Sequence, residues 1–234
     1  MNTTIHKVLK QYYGYSSFRE GQEEIIRAII DQRDVLAIMP TGSGKSVCYQ
    51  IPAIVFPGIT IVISPLIALM KDQVHNLVQT GIKAAYINSS LNPAQVSLAI
   101  RRAKEGVYKV IYVAPERLFT EAFMDFAQSV EISLVAVDEA HCISQWGHDF
   151  RPSYQTIRNF VNSLNRKPPI AAFTATATVQ VREDIASQLM LQNPYCITTG
   201  FDRKNLYFNV IKDSDNFAFI CDYLKKHPES TGII

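Results

Sequence analysis

The sequence predicts an α/β fold in which helices cover both faces of a mainly parallel, doubly wound sheet. Short β-branched runs alternate with amphipathic helical stretches along the chain. Each strand–helix–strand step implies a right-handed crossover between parallel strands. The chain has 234 residues, of which 47% are hydrophobic and 19% charged, a composition typical of a packed core and not of a disordered chain. At roughly 150 residues per domain, this length fits one domain or one and a half.

The charge and cysteine content excludes several classes of protein. With 23 Lys and Arg against 21 Asp and Glu, the net charge is only +2. Indiscriminate nucleic-acid binding through a uniformly positive surface is therefore excluded, and any such contact needs a local patch. Cys48, Cys142, Cys196 and Cys221 form no C-x-x-C pair, which indicates neither a zinc ribbon nor a disulfide framework. No signal peptide or apolar run of about 18 residues is visible, so we expect a soluble protein without membrane contact.

Seven strands and four helices can be placed along the chain. The predicted strands are Val35–Met39, Thr60–Ser64, Ala84–Ile87, Val110–Val113, Leu134–Val137, Ile170–Thr174 and Tyr195–Thr198. The predicted helices are Leu66–Gln79, Pro93–Lys104, Val179–Leu189 and, in the tail, Asn216–His227. Leu206–Ile211 is predicted as a strand, and Gly232-Ile233-Ile234 as the start of another. We therefore expect a first domain over 1–205 and the truncated beginning of a second over 206–234, whose helix packs poorly without the rest of its domain.

A phosphate-binding loop is predicted directly after the first strand. Val35–Met39 is followed by Pro40-Thr41-Gly42-Ser43-Gly44-Lys45-Ser46 and a short helix, Val47–Gln50. Backbone N–H groups at a helix start can cradle a phosphate, and glycines remove the Cβ atoms that would block it. We expect Thr41, Gly42, Ser43 and Gly44 to line the phosphates, Lys45 to reach the β- and γ-oxygens, and Ser46 to ligate Mg²⁺. The alternative is a glycine-rich turn with a solvated lysine.

Two carboxylates follow the buried strand Leu134–Val137. Asp138 and Glu139 thus come at the carboxyl end of a strand, where an open α/β sheet presents its ligand crevice. We expect Asp138 to hold Mg²⁺ through water and Glu139 to orient and deprotonate the attacking water. A solvated acidic turn is the alternative, and the phosphate loop elsewhere in the chain argues against it.

Together these motifs resemble those of superfamily 2 helicases, and further motifs resemble the RecQ family over nearly the whole chain. The first resemblance is carried by Lys45-Ser46 with Asp138-Glu139-Ala140-His141. The RecQ resemblance is carried by the segment 9–22 with Tyr13, Gly14, Phe18, Arg19 and Gln22, and by Ser64–Gln73, Ala114–Leu118, His141–Pro152, Thr174–Ala177 and Phe201–Leu206. Lys204 departs from the Pro of many relatives. The resemblance implies a RecA-like P-loop NTPase domain, the N-terminal motor-domain fragment of an ATP-dependent DNA helicase.

The segment before the phosphate loop is expected to recognise adenine. The amide of Gln22 offers a donor and an acceptor that match N6 and N7 of adenine, whereas guanine presents an O6 acceptor in place of the N6 donor. Tyr15 and Arg19 can stack on the base. Ordinary core packing is the alternative for Tyr13, Tyr15 and Phe18.

An aromatic loop next to the acidic pair is expected to contact DNA. Trp146 and Phe150 suit stacking on unpaired bases, and Arg151 suits a phosphate or a second stacking plane. The resemblance implies that this loop, which begins at Gln145, senses single-stranded DNA and informs the ATP site, with His141 relaying hydrogen bonds between them. Core anchoring of the two aromatic residues is the alternative.

Two further residues, Ser64 and Arg117, are candidates for DNA-backbone contacts, as is Lys71, for which a solvated helix face is the simpler interpretation. The histidines assemble no zinc spacing, so no zinc is expected.

The resemblance also implies the biology of the whole enzyme. It implies ATP and Mg²⁺ as cofactors, single-stranded and forked DNA as partners, 3′–5′ movement, a role in DNA repair and recombination, and a cytoplasmic location, at the nucleoid if the source is bacterial. It implies arginine fingers from a second RecA-like domain of the same chain. We therefore expect this chain to bind ATP, to turn over little and to unwind nothing by itself.

Two other functions stay open on the sequence. One is a superfamily 2 ATPase of another kind, such as an RNA helicase, against which the loop Gln145–Arg151 argues. The other is a non-catalytic module that recognises DNA ends or partners, against which the intact Lys45, Ser46, Asp138 and Glu139 argue.

Overall fold

Seven parallel strands form a single sheet in the computed structural model, which describes residues 2–147, 149–200, 206–212, 215–229 and 231–232. The strands are β1 Val35–Ile38, β2 Ile59–Ile63, β3 Ala84–Ile87, β4 Val110–Val113, β5 Ile132–Val137, β6 Ile170–Thr174 and β7 Tyr195–Thr198. Their order is β3-β4-β2-β5-β6-β1-β7, and every neighbouring pair is parallel. The predicted α/β class and doubly wound parallel sheet are confirmed.

Helices cover both faces of this sheet. They are α1 Asn2–Val8, α2 Gln22–Ile30, α3 Lys45–Val55, α4 Ile67–Gln79, α5 Pro93–Lys104, α6 Glu121–Ser129, α7 Ile157–Asn162, α8 Val179–Gln188 and α9 Asn216–Lys226. Side chains of a strand alternate between the faces, so Leu36 and Ile38 join a core with α5 to α8, whereas Val35 and Ala37 join a core with α1 to α4. Strands buried on both faces explain the continuous apolar runs in the sequence.

Local chemistry accounts for several helix starts. The Asn92 side chain accepts from the Gln95 backbone N–H while the Gln95 side chain accepts from the Asn92 N–H, and Pro93 takes the first helical position of α5. Thr178 caps α8 through the N–H of Val181. Helix α3 begins at Lys45, two residues before the predicted start, and continues to Val55.

One buried carboxylate joins three segments at the amino end of the sheet. Asp34, 7% exposed, accepts from the Ile170 N–H at 2.8 Å and the Gln192 N–H at 2.6 Å. Its own carbonyl accepts from the Tyr195 N–H at 2.8 Å. Asp34 thus aligns the starts of β1, β6 and β7.

The chain divides into two compact units, Met1–Phe201 and Asp202–Ile234. In the second unit, α9 is capped by Asp215, and none of its residues is buried. The prediction of a strand over Leu206–Ile211 is wrong, because residues 206–212 carry no strand and Tyr207 and Phe208 are 88% and 87% exposed. A strand needs a paired neighbour for its backbone groups, and β-branched content alone does not supply one. The motif over residues 201–205, Ile233 and Ile234 lie outside the described residues.

No helix within the described part of the chain combines the length and apolar character that a membrane span requires.

Replacing Asp34 by Asn should destabilise the first unit. One of its two accepting oxygens becomes an NH₂ group that faces a backbone N–H, which costs about 2 kcal/mol when the site is buried. The urea midpoint should fall with an unchanged m-value. Asp31→Asn, at the exposed end of α2, is the matched control and should change stability by less than about 0.5 kcal/mol. Equal midpoints for both variants would contradict this role of Asp34.

Candidate functional site

The phosphate loop connects the end of β1 to the first turn of α3. Gly42 and Gly44 have φ of 83° and 85°, values that side chains other than glycine rarely adopt. A Cβ on Gly44 would lie 2.5 Å from Nε2 of Gln22, so this position requires glycine for space as well. The N–H groups of the first turn of α3 lack partners within the helix and are available to an anion.

The lysine of the loop is held by the end of the preceding strand. Nζ of Lys45 donates to the Met39 carbonyl at 3.0 Å, and Oγ of Ser43 donates to the Pro40 carbonyl at 2.6 Å. Lys45 and Ser46 are both half-buried, whereas Thr41 is exposed at the rim. The ammonium is thereby positioned beside the glycines of the loop.

The predicted adenine-binding residues lie against the phosphate loop. Gln22 is buried, and its Nε2 donates to the carbonyls of Ser43 and Gly44 at 3.0 and 3.2 Å. Its Oε1 accepts from the Arg19 N–H at 2.9 Å. Nη1 of Arg19 donates to the Gly42 carbonyl at 2.6 Å. This direct link between the Gln22 segment and the loop was not predicted.

This link leaves one atom of Gln22 for a base. Both N–H bonds of its amide are used, so the second lone pair of Oε1 is the group that remains. Tyr15 is 56% exposed, which fits stacking better than core packing. Tyr13 and Phe18 are half-buried and pack against the core, the alternative raised for them above.

The acidic pair follows β5, as predicted. The Asp138 N–H donates to the Ile63 carbonyl at 2.8 Å, and Oδ1 accepts from the Glu139 N–H at 3.0 Å. Burial, reinforced by the charge of Glu139, raises the pKa of Asp138 to about 6, and the attraction of Lys45 acts in the opposite direction. The interaction with Lys45 means that the phosphate loop and the acidic pair, 93 residues apart in sequence, form one site.

Glu139 occupies a strained backbone conformation. Its φ and ψ are 48° and 46°, a left-handed conformation that costs a non-glycine residue of order 1 kcal/mol or more. The hydroxyl of buried Tyr154 donates to the neighbouring Asp138 carbonyl at 2.9 Å and helps to hold this turn. Such strain clusters at functional sites, where it aims a side chain that a relaxed turn would direct elsewhere.

His141 links the acidic pair to the strand β6. Its Nδ1 lies 2.9 Å from Oγ1 of Thr174 and 3.3 Å from Oε2 of Glu139. Oγ1 of Thr174 in turn donates to the Thr176 carbonyl at 3.1 Å. The imidazole is buried, so a change at any of these groups is felt by the others.

The aromatic loop is anchored at its two ends and exposed between them. Trp146 is 70% exposed, Gln145 is exposed and Phe150 is half-buried. Exposure of Trp146 favours base stacking over core anchoring. The Arg151 N–H donates to the Cys142 carbonyl at 2.8 Å. His148 lies outside the described residues.

Arg151 is committed to contacts within the protein. Its Nη2 and Nε lie 3.0 and 3.2 Å from Oδ2 of Asp149, and its Nη1 donates to the Pro65 carbonyl at 3.3 Å. The hydrogen bonds from Arg151 hold the pKa of Asp149 below its usual value. Arg151 thereby ties the loop to the start of α4.

The predicted backbone contacts differ in accessibility. Ser64 is 1% exposed, and its buried Oγ has no hydrogen-bond partner among the described residues, so neighbouring groups would have to move before a phosphate reached it. Arg117 is half-buried and Lys71 is exposed on α4. The structure brings none of these three into the ATP site.

Sequence spacing missed a group of potential ligands in the loop. One ligand atom each from His141, Cys142 and Asp149 lie within 4.8 Å of one another. Burial raises the pKa of the Cys142 thiol to about 12, so the thiol stays protonated. Asp149 approaches because the loop folds back, a feature that residue spacing does not reveal.

The chain is similar to known helicases over most of its length. The profile of the DEAD/DEAH box helicase family matches residues 19–185. The chain is 50% identical over 228 residues to ATP-dependent DNA helicase RecQ of Bacillus subtilis (strain 168), a match that covers 97% of this chain and 39% of the relative. It is 44% identical to ATP-dependent DNA helicase RecQ of Pasteurella multocida (strain Pm70), covering 100% of this chain and 37% of the relative. The chain therefore spans less than two-fifths of the length of these relatives.

Solved structures show the same fold. A hypothetical ATP-dependent RNA helicase from Sulfolobus tokodaii superposes with a TM-score of 0.65 at 21% identity, covering 85% of this chain and 57% of that chain. The Hef helicase domain of Pyrococcus furiosus gives 0.60 at 18% identity, covering 82% and 39%. At these identities the likeness concerns the fold alone. The match to the family profile over more than half of its residues shows that this chain belongs to the DEAD/DEAH box helicase family, and its similarity to bacterial RecQ helicases extends over nearly its whole length.

Proposed function

We propose that the chain is the ATP-binding motor domain of a 3′–5′ RecQ-type DNA helicase that acts in DNA repair and recombination. The observation that carries this proposal is the electrostatic and spatial grouping of Lys45 with Asp138 and Glu139 at the carboxyl edge of the sheet. The curated relatives at 44–50% identity are named ATP-dependent DNA helicases, which supports DNA as the nucleic acid.

The donor set fits a Mg²⁺-bound nucleoside triphosphate. The first turn of α3 offers N–H groups to the phosphates, and Lys45 offers a cation that can leave the Met39 carbonyl. The Ser46 hydroxyl and the Asp138 carboxylate are hard oxygen ligands, which Mg²⁺ prefers, and Asp138 acts through water. Bound Mg²⁺ would neutralise charge on the β- and γ-oxygens.

Glu139 is the proposed base for the attacking water. Its carboxylate is partly exposed, and its left-handed backbone directs it away from the relaxed path of the turn. Its contact with His141 restricts the carboxylate orientation. Since His141 also contacts Thr174, movement of the β6 end would change how Glu139 is aimed.

The proposed DNA surface comprises Trp146 with Phe150, and the basic residues Lys71 and Arg117. Stacking on Trp146 would load a loop that is joined to His141 by the turn 141–147. Arg151 acts there as an anchor to Pro65, and Ser64 becomes a phosphate contact only after rearrangement.

Turnover and unwinding are proposed to need a longer polypeptide than this chain. Arginine fingers contribute about 10³–10⁵ to such reactions, and a second RecA-like domain of the full-length helicase would supply them. The exposed apolar side chains of Tyr207, Phe208 and Phe217 in the second unit support an additional covering partner, since large exposed apolar groups rarely stay solvated. Single-stranded and forked DNA in the cytoplasm, at the nucleoid in a bacterium, would be the substrate.

Nucleotide binding by this chain tests the ATP site. Calorimetric titration with a non-hydrolysable Mg·ATP analogue should give binding that exceeds that of the GTP analogue, and Lys45→Ala should abolish both. Gln22→Ala should weaken both by loosening the loop and should also lower the adenine preference about tenfold, the discrimination of one good base contact. An unchanged preference would refute the adenine role of Gln22, and no binding by the wild-type chain would refute the site.

Removing the charge of Asp138 should stabilise the metal-free chain. A native pKa of about 6 against an unfolded value near 3.9 means that the native state binds more protons between those values, so stability is lost as the pH rises from about 4 to 6. Asp138→Asn should therefore raise the free energy of unfolding by up to about 3 kcal/mol at pH 7, with the gain vanishing near pH 4.

A matched control of opposite sign is Asp149→Asn. Its pKa is lowered by Arg151, so the carboxylate contributes stability at neutral pH that disappears as the pH falls. Thermal melts of both variants at pH 4 and pH 7, without metal, make the measurement. A stability gain for Asp138→Asn that is the same at both pH values would contradict the assignment.

Trp146→Ala should weaken single-stranded DNA binding by the full-length helicase about tenfold, because one stacked base is worth roughly 1–3 kcal/mol. Phe119→Ala, which removes another exposed aromatic residue, is the control and should leave binding unchanged. Fluorescence anisotropy with DNA and RNA oligomers of equal sequence measures both effects. Stronger stimulation of ATP hydrolysis by RNA than by DNA would favour the RNA-helicase alternative.

A further inference from the structure

A buried amide at the centre of α3 connects several motifs that the proposed chemistry does not use. Gln50, 4% exposed, accepts a hydrogen bond from the Tyr13 hydroxyl at 2.9 Å through Oε1. Its Nε2 donates to Oε1 of Gln73 and to the Tyr112 hydroxyl, both at 3.0 Å. With both N–H bonds and the carbonyl engaged, the amide has one orientation. We call these residues, together with Tyr49, the Gln50 network.

One arm of the Gln50 network leads to the proposed metal ligand. The Tyr112 hydroxyl donates to the Tyr49 hydroxyl at 3.5 Å, and Tyr49 also shares a hydrogen bond with the Ser46 side chain. Ser46, Tyr49 and Gln50 are spaced i, i+3 and i+4, so they lie on one face of α3. The path from Gln50 to Ser46 is therefore continuous.

The metal-binding carboxylate lies close to the same path. The pKa values of Tyr49 and Tyr112 are raised by burial first, and the charge of Asp138 adds to the rise at both hydroxyls. The network thus ends between the two proposed oxygen ligands of the ATP site.

Another arm leads to the helix beside the aromatic loop. Gln73 lies on α4 (Ile67–Gln79), which also carries exposed Lys71. The segment just before α4 is held by the loop, because Arg151 donates to the Pro65 carbonyl. A load on the DNA-facing side of α4 is therefore transmitted to Gln73.

Core packing does not require this arrangement. Burying five polar side chains costs free energy that hydrogen bonds only offset, and apolar residues of similar volume would stabilise the same core at least as well. A fully connected polar network adds directional restraint between elements, which apolar contacts do not provide.

We propose that Gln50, Tyr112 and Tyr49 form a positioning network that couples α4 to the Ser46 hydroxyl, so that nucleic-acid contact at α4 adjusts the metal site. The inference rests on the proposed function. These residues act through Ser46 and touch neither nucleotide nor DNA. The Tyr13 arm ties the same amide to the segment before the phosphate loop.

Tyr112→Phe in the full-length helicase tests the network, because it removes one hydroxyl and keeps the ring. We expect single-stranded-DNA stimulation of ATP hydrolysis to fall about fivefold, the equivalent of one hydrogen bond. The rate without DNA and the KM for ATP should change less than twofold. The Mg²⁺ concentration at half-maximal rate should rise with DNA present and stay constant without it. Tyr86→Phe, the half-buried residue that faces Tyr112 in the β3–β4 pairing, is the matched control.

A second variant keeps the test decisive if Tyr112→Phe does not fold. Gln73→Ala cuts the α4 arm at a half-buried position and should produce the same loss of stimulation. The double variant should lose no more than either single one, because both break one path.

Each outcome decides between the roles. Equal loss of the DNA-free and DNA-stimulated rates, or additive losses in the double variant, would show a merely structural role and overturn the inference. Hydrolysis by the wild type that DNA does not stimulate would overturn it too, while leaving the ATPase assignment intact. Absence of hydrolysis sensitive to Lys45→Ala would instead overturn the proposed function.

Discussion

The parallel pairing of β1, β5 and β6 is the constraint on which the candidate site depends. β6 lies between the other two strands, pairing Ile38 with Thr174 on one side and Val137 with Ala172 on the other. Because parallel strands all run in one direction, their carboxyl ends meet at one edge of the sheet. The phosphate loop, the acidic pair and Thr174 are neighbours for that reason alone. Any change of strand order would disperse them, however well each motif were formed.

The site carries costs that the rest of the fold supports. Asp138 is a buried carboxylate next to a second carboxylate, and Glu139 has a left-handed backbone. Each is unfavourable by itself. Packed strands on both faces and the Tyr154 hydrogen bond hold the turn against these costs. A site poised in this way gains from a bound cation, since the positive charge relieves the same repulsion that destabilises the free protein.

Hydrogen bonds make the site responsive to its surroundings. His141 connects Glu139 to Thr174, and Gln22 connects the segment before the phosphate loop to the loop itself. These links are short and involve groups with few alternative partners, so displacement of one element changes the position of the next. The architecture is therefore suited to a domain in which binding events at separate surfaces must influence a single reaction centre.

The sequence by itself determined the class of fold and the chemical groups of the site. Buried strands read as apolar runs, and the loop over 40–46 and the pair Asp138-Glu139 were predictable because residue type and local order define them. Tertiary structure decided which groups meet. The orientation of Gln22 into the loop, the Arg151 anchor and the contacts of Gln50 join residues up to 86 apart, and no local pattern encodes such pairings. The strand predicted at Leu206–Ile211 was wrong for the same reason, since β-propensity forms a strand only where a neighbour accepts its hydrogen bonds.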